Sequence, residues 1–187
     1  MAGSEAAGAP SVGALDELPP DGCIAELAPL FEGAPRFLAR LCAARPFGSE
    51  ARLWAVARQV ARSMPEADQV ELIDAHPRLG APPPSVSDLS FVEQGYDRES
   101  GQAAADHEAE RNRVAAELDR LNAAYEARTG FRYCIFVAGR SRADLLPEFR
   151  RALTADRGSE LGRALEAVVD IAADRWARLR SGSGETA

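Results

Sequence analysis

The chain has 187 residues, is 46% apolar and carries a formal charge of −7 at pH 7. That length suits one folded domain with a core of its own. The acidic balance argues against nucleic acid or an anionic membrane surface as partner. No apolar run approaches the roughly 20 residues needed to span a bilayer.

Residues 1–17 are rich in Gly, Ala, Ser and acidic side chains and are read as a disordered tail. Met1–Val12 lacks the basic start and apolar stretch of a secretory leader. Leu18-Pro19-Pro20-Asp21 punctuates the start of the fold, with Asp21 as helix cap and Ile24, Leu27, Leu30 and Phe31 as the apolar face. Gly33 breaks that helix. Pro35 suits the first turn of the next, which turns Phe37, Leu38, Leu41 and Cys42 inward. Ser49 caps a third helix around Leu53, Trp54, Ala57 and Val60. Pro65 opens a fourth, predicted to end at His76, because the residue before Pro77 is pushed out of the α region.

The stretch Ala81-Pro82-Pro83-Pro84-Ser85 cannot be regular helix. It bridges to Ser90-Phe91-Val92-Glu93, after which Gly95-Tyr96-Asp97-Arg98 and Gly101 break regularity. From about Gln102 to Arg128 runs the longest helical stretch. Its first half, including His107, is polar enough to face solvent; its second half buries Val114, Leu118, Leu121 and Tyr125. Gly130 is a C-cap. Phe131–Val137 is extended and solitary, so its backbone groups need partners other than a ladder: neighbouring loops, a partner chain or a ligand. Ser141 to Asp144 offers a cap for a helix through Pro147 and Phe149. Ser159 caps the last helix, which carries Leu165, Val168, Ile171, Arg175 and Trp176 before a tail over 181–187. The expectation is an all-α domain of seven or eight helices over 18–180.

Cys23, Cys42 and Cys134 are odd in number and widely spaced, so neither a disulfide framework nor a metal-ligand pattern is expected. A reduced, cytoplasmic compartment follows as the simplest reading. Two separated histidines give poor support to a metal site. His76 titrates near neutral pH and sits at a helix end, which suits an acid or base; a plain helix-capping histidine fits as well. Glu93 lies in an S-x-x-E capping box with Ser90. Arg175, four residues after Ile171 on the same side, needs an anionic partner or a route to water.

Several of these residues recur together in a known family. Leu30-Phe31-Glu32-Gly33-Ala34-Pro35, Arg45-Pro46-Phe47, Ala75-His76-Pro77 with Leu79, Ser90 with Glu93-Gln94, Leu121-Asn122 with Tyr125, Gly130-Phe131, and Ile171-Ala172 with Arg175 occur in order. This resembles the decarboxylases of 2-oxo-4-hydroxy-4-carboxy-5-ureidoimidazoline (OHCU), over about residues 18–180. The resemblance implies an all-helical, homodimeric, cofactor-free enzyme that forms (S)-allantoin from a urate-derived ureido-imidazoline. On that pattern His76 is the acid/base, Glu93 orients the substrate and Arg175 holds its carboxylate. Pro77, Ser90 and Gln94 line the site, and Tyr133, Cys134, Ile135, Phe136 and Val137 supply backbone contacts. The rim departs from the family at Arg78, Gly80-Ala81, Arg132 and Ala138. Two other readings stay open: a same-fold enzyme for a related carboxylated ureide, and a non-catalytic helical interaction domain.

Overall fold

A computed structural model describes residues 10–82, 85–95 and 105–182. Pro83 and Pro84 of the bridge, the breaks at Tyr96–Arg98 and Gly101, the predicted helix start at 102–104, the His107 side chain and both chain ends lie outside the described residues. Nine α-helices and one 3-10 turn are present among the described residues, with no strand. The all-α expectation holds.

Packing divides the chain into two units, Met1–Leu72 with Val169–Ala187, and Ile73–Val168. Both boundaries fall inside helices rather than linkers. The first unit contains α1 (Val12–Glu17), α2 (Pro20–Leu27), the 3-10 turn Ala28–Phe31, α3 (Pro35–Ala43), α4 (Glu50–Ser63) and most of α5 (Glu66–Asp74). It also holds the end of α9 (Arg157–Gly182).

α1 corrects the reading of 1–17 as a disordered tail. Ser11 caps it, and Val12 and Leu15 are buried. Asp16 accepts hydrogen bonds from the Phe47 and Gly48 N–H groups at 2.8 Å. Arg45 donates to the Leu15 and Leu18 carbonyls at 2.7 and 2.6 Å. Tertiary partners thus order a segment whose composition alone favours disorder. Asp21 is in the first turn of α2 rather than at its cap, which is Pro19. Pro29 lies in the 3-10 turn that follows. Cys23 and Cys42 form a disulfide between α2 and α3, which corrects the expectation of none; Cys134 is a buried free thiol. The core of this unit includes Leu27, Phe31, Phe37, Leu41, Leu53 and Trp176. Trp176 meets Trp54 edge-on, 6.1 Å between centroids.

The second unit contains α6 (Asp88–Glu93), α7 (Ala105–Thr129), α8 (Arg142–Ala152) and the first part of α9. Its core is aromatic: Tyr125 packs edge-on against Phe131, Tyr133 and Phe149. Each such pair adds about 0.5–1.5 kcal/mol beyond area burial. Ser141 and Asp144 form the expected capping box of α8, which runs through Pro147. α9 begins earlier than expected: Asp156, not Ser159, accepts the hydrogen bond from Ser159 N–H at 2.9 Å.

Candidate active site

The sequence-predicted groups of the Ile73–Val168 unit sit on a loop, a short helix and an extended segment. α5 stops at Asp74, two residues before the expected His76. His76 occupies the turn that follows, its N–H on the Ile73 carbonyl at 3.1 Å. Its side chain is buried, 3% exposed. Pro77 is half-buried beside it.

The backbone around His76 is held from the extended segment. Arg132 donates its N–H to Asp74 Oδ1 at 2.8 Å and one guanidinium nitrogen to the carbonyls of Asp74 and His76, at 2.6 and 3.0 Å. These carbonyls belong to the last residue of α5 and to the turn after it, where acceptors lack helical partners and a cation is favoured. Arg132, expected at the rim, is thus a latch.

The loop from Arg78 to Gly80 is held from two further helices. Gln94 accepts from the Gly80 N–H at 2.8 Å and donates to the Arg78 carbonyl at 3.3 Å. Asn122 on α7 donates to the Leu79 carbonyl at 3.0 Å. Gly80 has φ +83°, and a Cβ there would stand 2.8 Å from Leu118 Cδ1. Only glycine accepts both the torsion and the approach. Arg78, the other rim departure, forms a two-point ion pair with Glu126, with 2.6 Å from Nε to Oε1.

The capping-box reading of Ser90 and Glu93 is overturned. Ser87 is the cap of α6, its Oγ accepting from Ser90 N–H at 3.2 Å. Ser90 lies inside the helix and is buried, 1% exposed. Glu93 closes α6 and is 9% exposed. A carboxylate at the C-terminal end of a helix meets the unfavourable pole of its dipole. A sequence shaped by stability alone avoids that placement, so it points to a functional demand.

The extended segment resolves the question of where its backbone bonds go. Arg163 donates to the Cys134 carbonyl at 2.8 Å. Arg140 donates to the Phe136 carbonyl at 2.7 Å and to the Val137 carbonyl at 3.0 Å. Thr129 Oγ1 serves Phe131. Arginines therefore stand in for a neighbouring strand on the carbonyl side. The N–H groups of Tyr133, Ile135, Phe136 and Val137 donate to no described residue. Tyr133, Ile135 and Val137 are buried and Phe136 half-buried. In an extended chain the N–H groups of Tyr133, Ile135 and Val137 share one side and that of Phe136 faces the other. Three uncommitted donors on one side, in buried residues, suit an anion or a carbonyl oxygen. Ala138 follows in the left-handed region, φ 51°.

Arg175 belongs to the other unit and is 3% exposed. It lies 2.9 Å from Glu32 Oε1 and donates to the Leu30 carbonyl at 3.1 Å. Glu32 itself has φ 53°. The anionic partner that the sequence demanded is thus Glu32. Sequence reasoning missed Glu32, Arg163, Arg140 and Asn122, and it named Gln94 as a lining residue rather than as a clamp on the loop. Only Asn122 and Glu32 had a signal, as members of motifs already singled out.

The family model of OHCU decarboxylase matches residues 16–177. The chain belongs to the OHCU decarboxylase family. It is 30% identical over 160 residues to the uric acid degradation bifunctional protein PucL of Bacillus subtilis (strain 168), covering 86% of this chain and 31% of that protein. The chain therefore spans about a third of the length of this curated relative. The solved structure of an OHCU decarboxylase in the presence of (S)-allantoin has the same fold: TM-score 0.61, 22% identity, 83% of this chain and 97% of that one. An (S)-allantoin synthase structure matches with TM-score 0.59 and 22% identity, over 92% of this chain and 54% of that one. His76, Pro77, Ser90, Glu93 and Gln94 all lie within the matched residues. Every one of the 22 basic residues is arginine, so this OHCU decarboxylase family member has no lysine side chain for a Schiff base. Among the described residues, no helix is long and apolar enough to cross a membrane.

Proposed function

We propose that the chain decarboxylates 2-oxo-4-hydroxy-4-carboxy-5-ureidoimidazoline to (S)-allantoin, without a cofactor, in urate breakdown. Loss of CO2 breaks the bond to the ring carbon and leaves its electron pair to be delocalised into the ring and its carbonyl. Fixed donors aimed at that developing charge supply several kcal/mol. The uncommitted N–H groups of Tyr133, Ile135 and Val137, on a segment that Arg132 ties to the His76 turn, are the observation that supports this reading. His76 then returns a proton to one face of the carbanion, a task suited to imidazole near neutral pH. Glu93 orients the ureido group through its N–H donors, and Pro77 and Ser90 line the site. Gln94 acts by holding the Arg78–Gly80 loop. Arg175, in the other unit, is assigned to the substrate carboxylate on the family's pattern alone.

The altered rim at Arg78, Arg132 and Ala138 is what favours a related ureide as substrate. Both guanidinium groups are committed, to Glu126 and to the Asp74 and His76 carbonyls, which favours the parent substrate. A cytoplasmic homodimer belongs to the same proposal; light scattering tests the dimer, and a thiol count on protein freshly taken from cells tests the compartment against the Cys23–Cys42 pair. The activity is tested by generating the substrate from urate with an oxidase and a hydrolase, and following optically active allantoin by circular dichroism. The chain should accelerate its appearance and His76→Ala should not. Equal rates with parent and His76→Ala would overturn the mechanism.

A further inference from the structure

A cleft of about 260 Å³ lies in the Ile73–Val168 unit. Tyr133, Glu148, Arg151, Ala152, Glu160 and Arg163 line it. The proposed decarboxylation uses Arg163 only as a prop of the extended segment, and gives the other side chains that meet there no role.

Three of those side chains carry uncommitted polar groups. The Tyr133 hydroxyl is buried, in a residue 1% exposed, and has no hydrogen-bond partner among the described residues. Its ring cannot swing to find one. Phe149 stacks on it at 3.7 Å with planes 10° apart, and the Arg163 guanidinium lies 4.6 Å from its centroid. Burial pushes the phenol pKa far up, so the group stays protonated and can donate. Glu160 accepts from Tyr125 Oη and from Arg163 Nε, both at 2.9 Å and both on Oε2. Its ion pair with Arg163 Nη2 uses the same oxygen, so Oε1 accepts from no described residue. Arg151 is exposed and has no ion pair among the described residues.

Charge narrows the class of ligand. Arg163 offsets Glu160, and Arg140 offsets Glu148 at 2.9 Å. Arg151 is left over, so the cleft favours a monoanion. A fixed hydroxyl donor and a carboxylate acceptor lining one cleft match the C=O and the N–H on opposite edges of an amide or ureido group. The volume is below the about 300 Å³ at which drug-sized pockets begin, so the molecule is small. We propose that this cleft binds an N-carbamoyl or N-acyl amino acid. Its carbonyl accepts from Tyr133 Oη, its N–H donates to Glu160 Oε1, and its carboxylate pairs with Arg151. Because Arg163 also holds the Cys134 carbonyl, a molecule here stiffens the extended segment.

Titration calorimetry with N-carbamoylglycine and N-acetylglycine tests the assignment, with acetate, glycine and urea as controls. Both acids should bind at one site and the controls at least tenfold more weakly. Arg151→Ala should weaken binding at least tenfold. Tyr133→Phe, which keeps the stacking, should abolish it while melting no lower than the parent, since an unpartnered buried hydroxyl is removed. His76→Ala should bind as the parent does, whatever its turnover, which separates this cleft from the proposed active site. Absence of binding by both acids overturns the proposal. So does binding that survives Arg151→Ala and Tyr133→Phe, equals that of acetate or urea, or disappears with His76→Ala.

Discussion

The Arg132 latch gives the sharpest prediction about how His76 is held. Arg132→Ala deletes two charge-assisted hydrogen bonds, to the Asp74 and His76 carbonyls, and leaves the main-chain bond to Asp74 Oδ1. Hydrogen bonds to charged groups contribute about 1.5–3 kcal/mol each. Arg132 is half-buried, so water replaces part of that, and the low end applies: about 2–3 kcal/mol in total. For a chain of this size a kcal/mol moves Tm by about 2–4 °C, so the melt should fall by roughly 4–12 °C. A turn freed to shift His76 by about 1 Å should lower kcat by on the order of 100-fold. KM should stay within about twofold, since Arg132 acts through the turn and touches no substrate. Calorimetric melts and the coupled circular-dichroism assay read both. If Arg132→Ala melts with the parent and raises only KM, Arg132 is a substrate contact and the latch argument is wrong.

Gly80→Ala combines a strained torsion with a 2.8 Å approach to Leu118 Cδ1 and should cost about 2–4 kcal/mol; denaturant unfolding measures it, and a loss under 1 kcal/mol would show that the loop yields. Arg175→Ala removes the ion pair of the largely buried Glu32 carboxylate with Arg175 and should destabilise by about 3–5 kcal/mol, whereas Arg175→Ala with Glu32→Gln should recover part of that loss in a double-mutant cycle. Asp144 and Asp156 are held below the usual carboxylate range by hydrogen bonds from Ser141 and Ser159. A lowered folded pKa means their stabilisation is present above the unfolded value of about 4 and fades as pH falls through the folded one. The Tm gap between the parent and Asp144→Asn with Asp156→Asn should therefore close on acidification below pH about 4.

Helices were legible because apolar residues recur at helical spacing, and because Ser49, Ser141 and Gly130 offer unambiguous ends. Two caps were misplaced for one reason. Ser87 and Ser90, and likewise Asp156 and Ser159, stand three residues apart, and either member can cap a helix. Only the structure shows which hydroxyl or carboxylate faces the free N–H groups. The tail reading failed at Val12–Glu17 because its order comes from Arg45 and from the Phe47 and Gly48 N–H groups, some 30 residues away. The Cys23–Cys42 pair was hidden because spacing along a chain does not say which helices lie side by side. Motifs singled out His76, Glu93 and Arg175 as candidates, but gave no sign of the groups that hold them. A guanidinium that closes a helix from 56 residues away, as Arg132 does for His76, leaves no local pattern to read.

The extended segment between Gly130 and Ala138 bears on how this chain tolerates substitution. Donors that belong to peptide groups persist through any side-chain replacement short of proline. Drift at positions 133–137 can reshape the aromatic packing behind the segment while the hydrogen-bonding face stays as it was. The vulnerable points are instead the distant guanidinium groups of Arg140 and Arg163, which fix where that face stands.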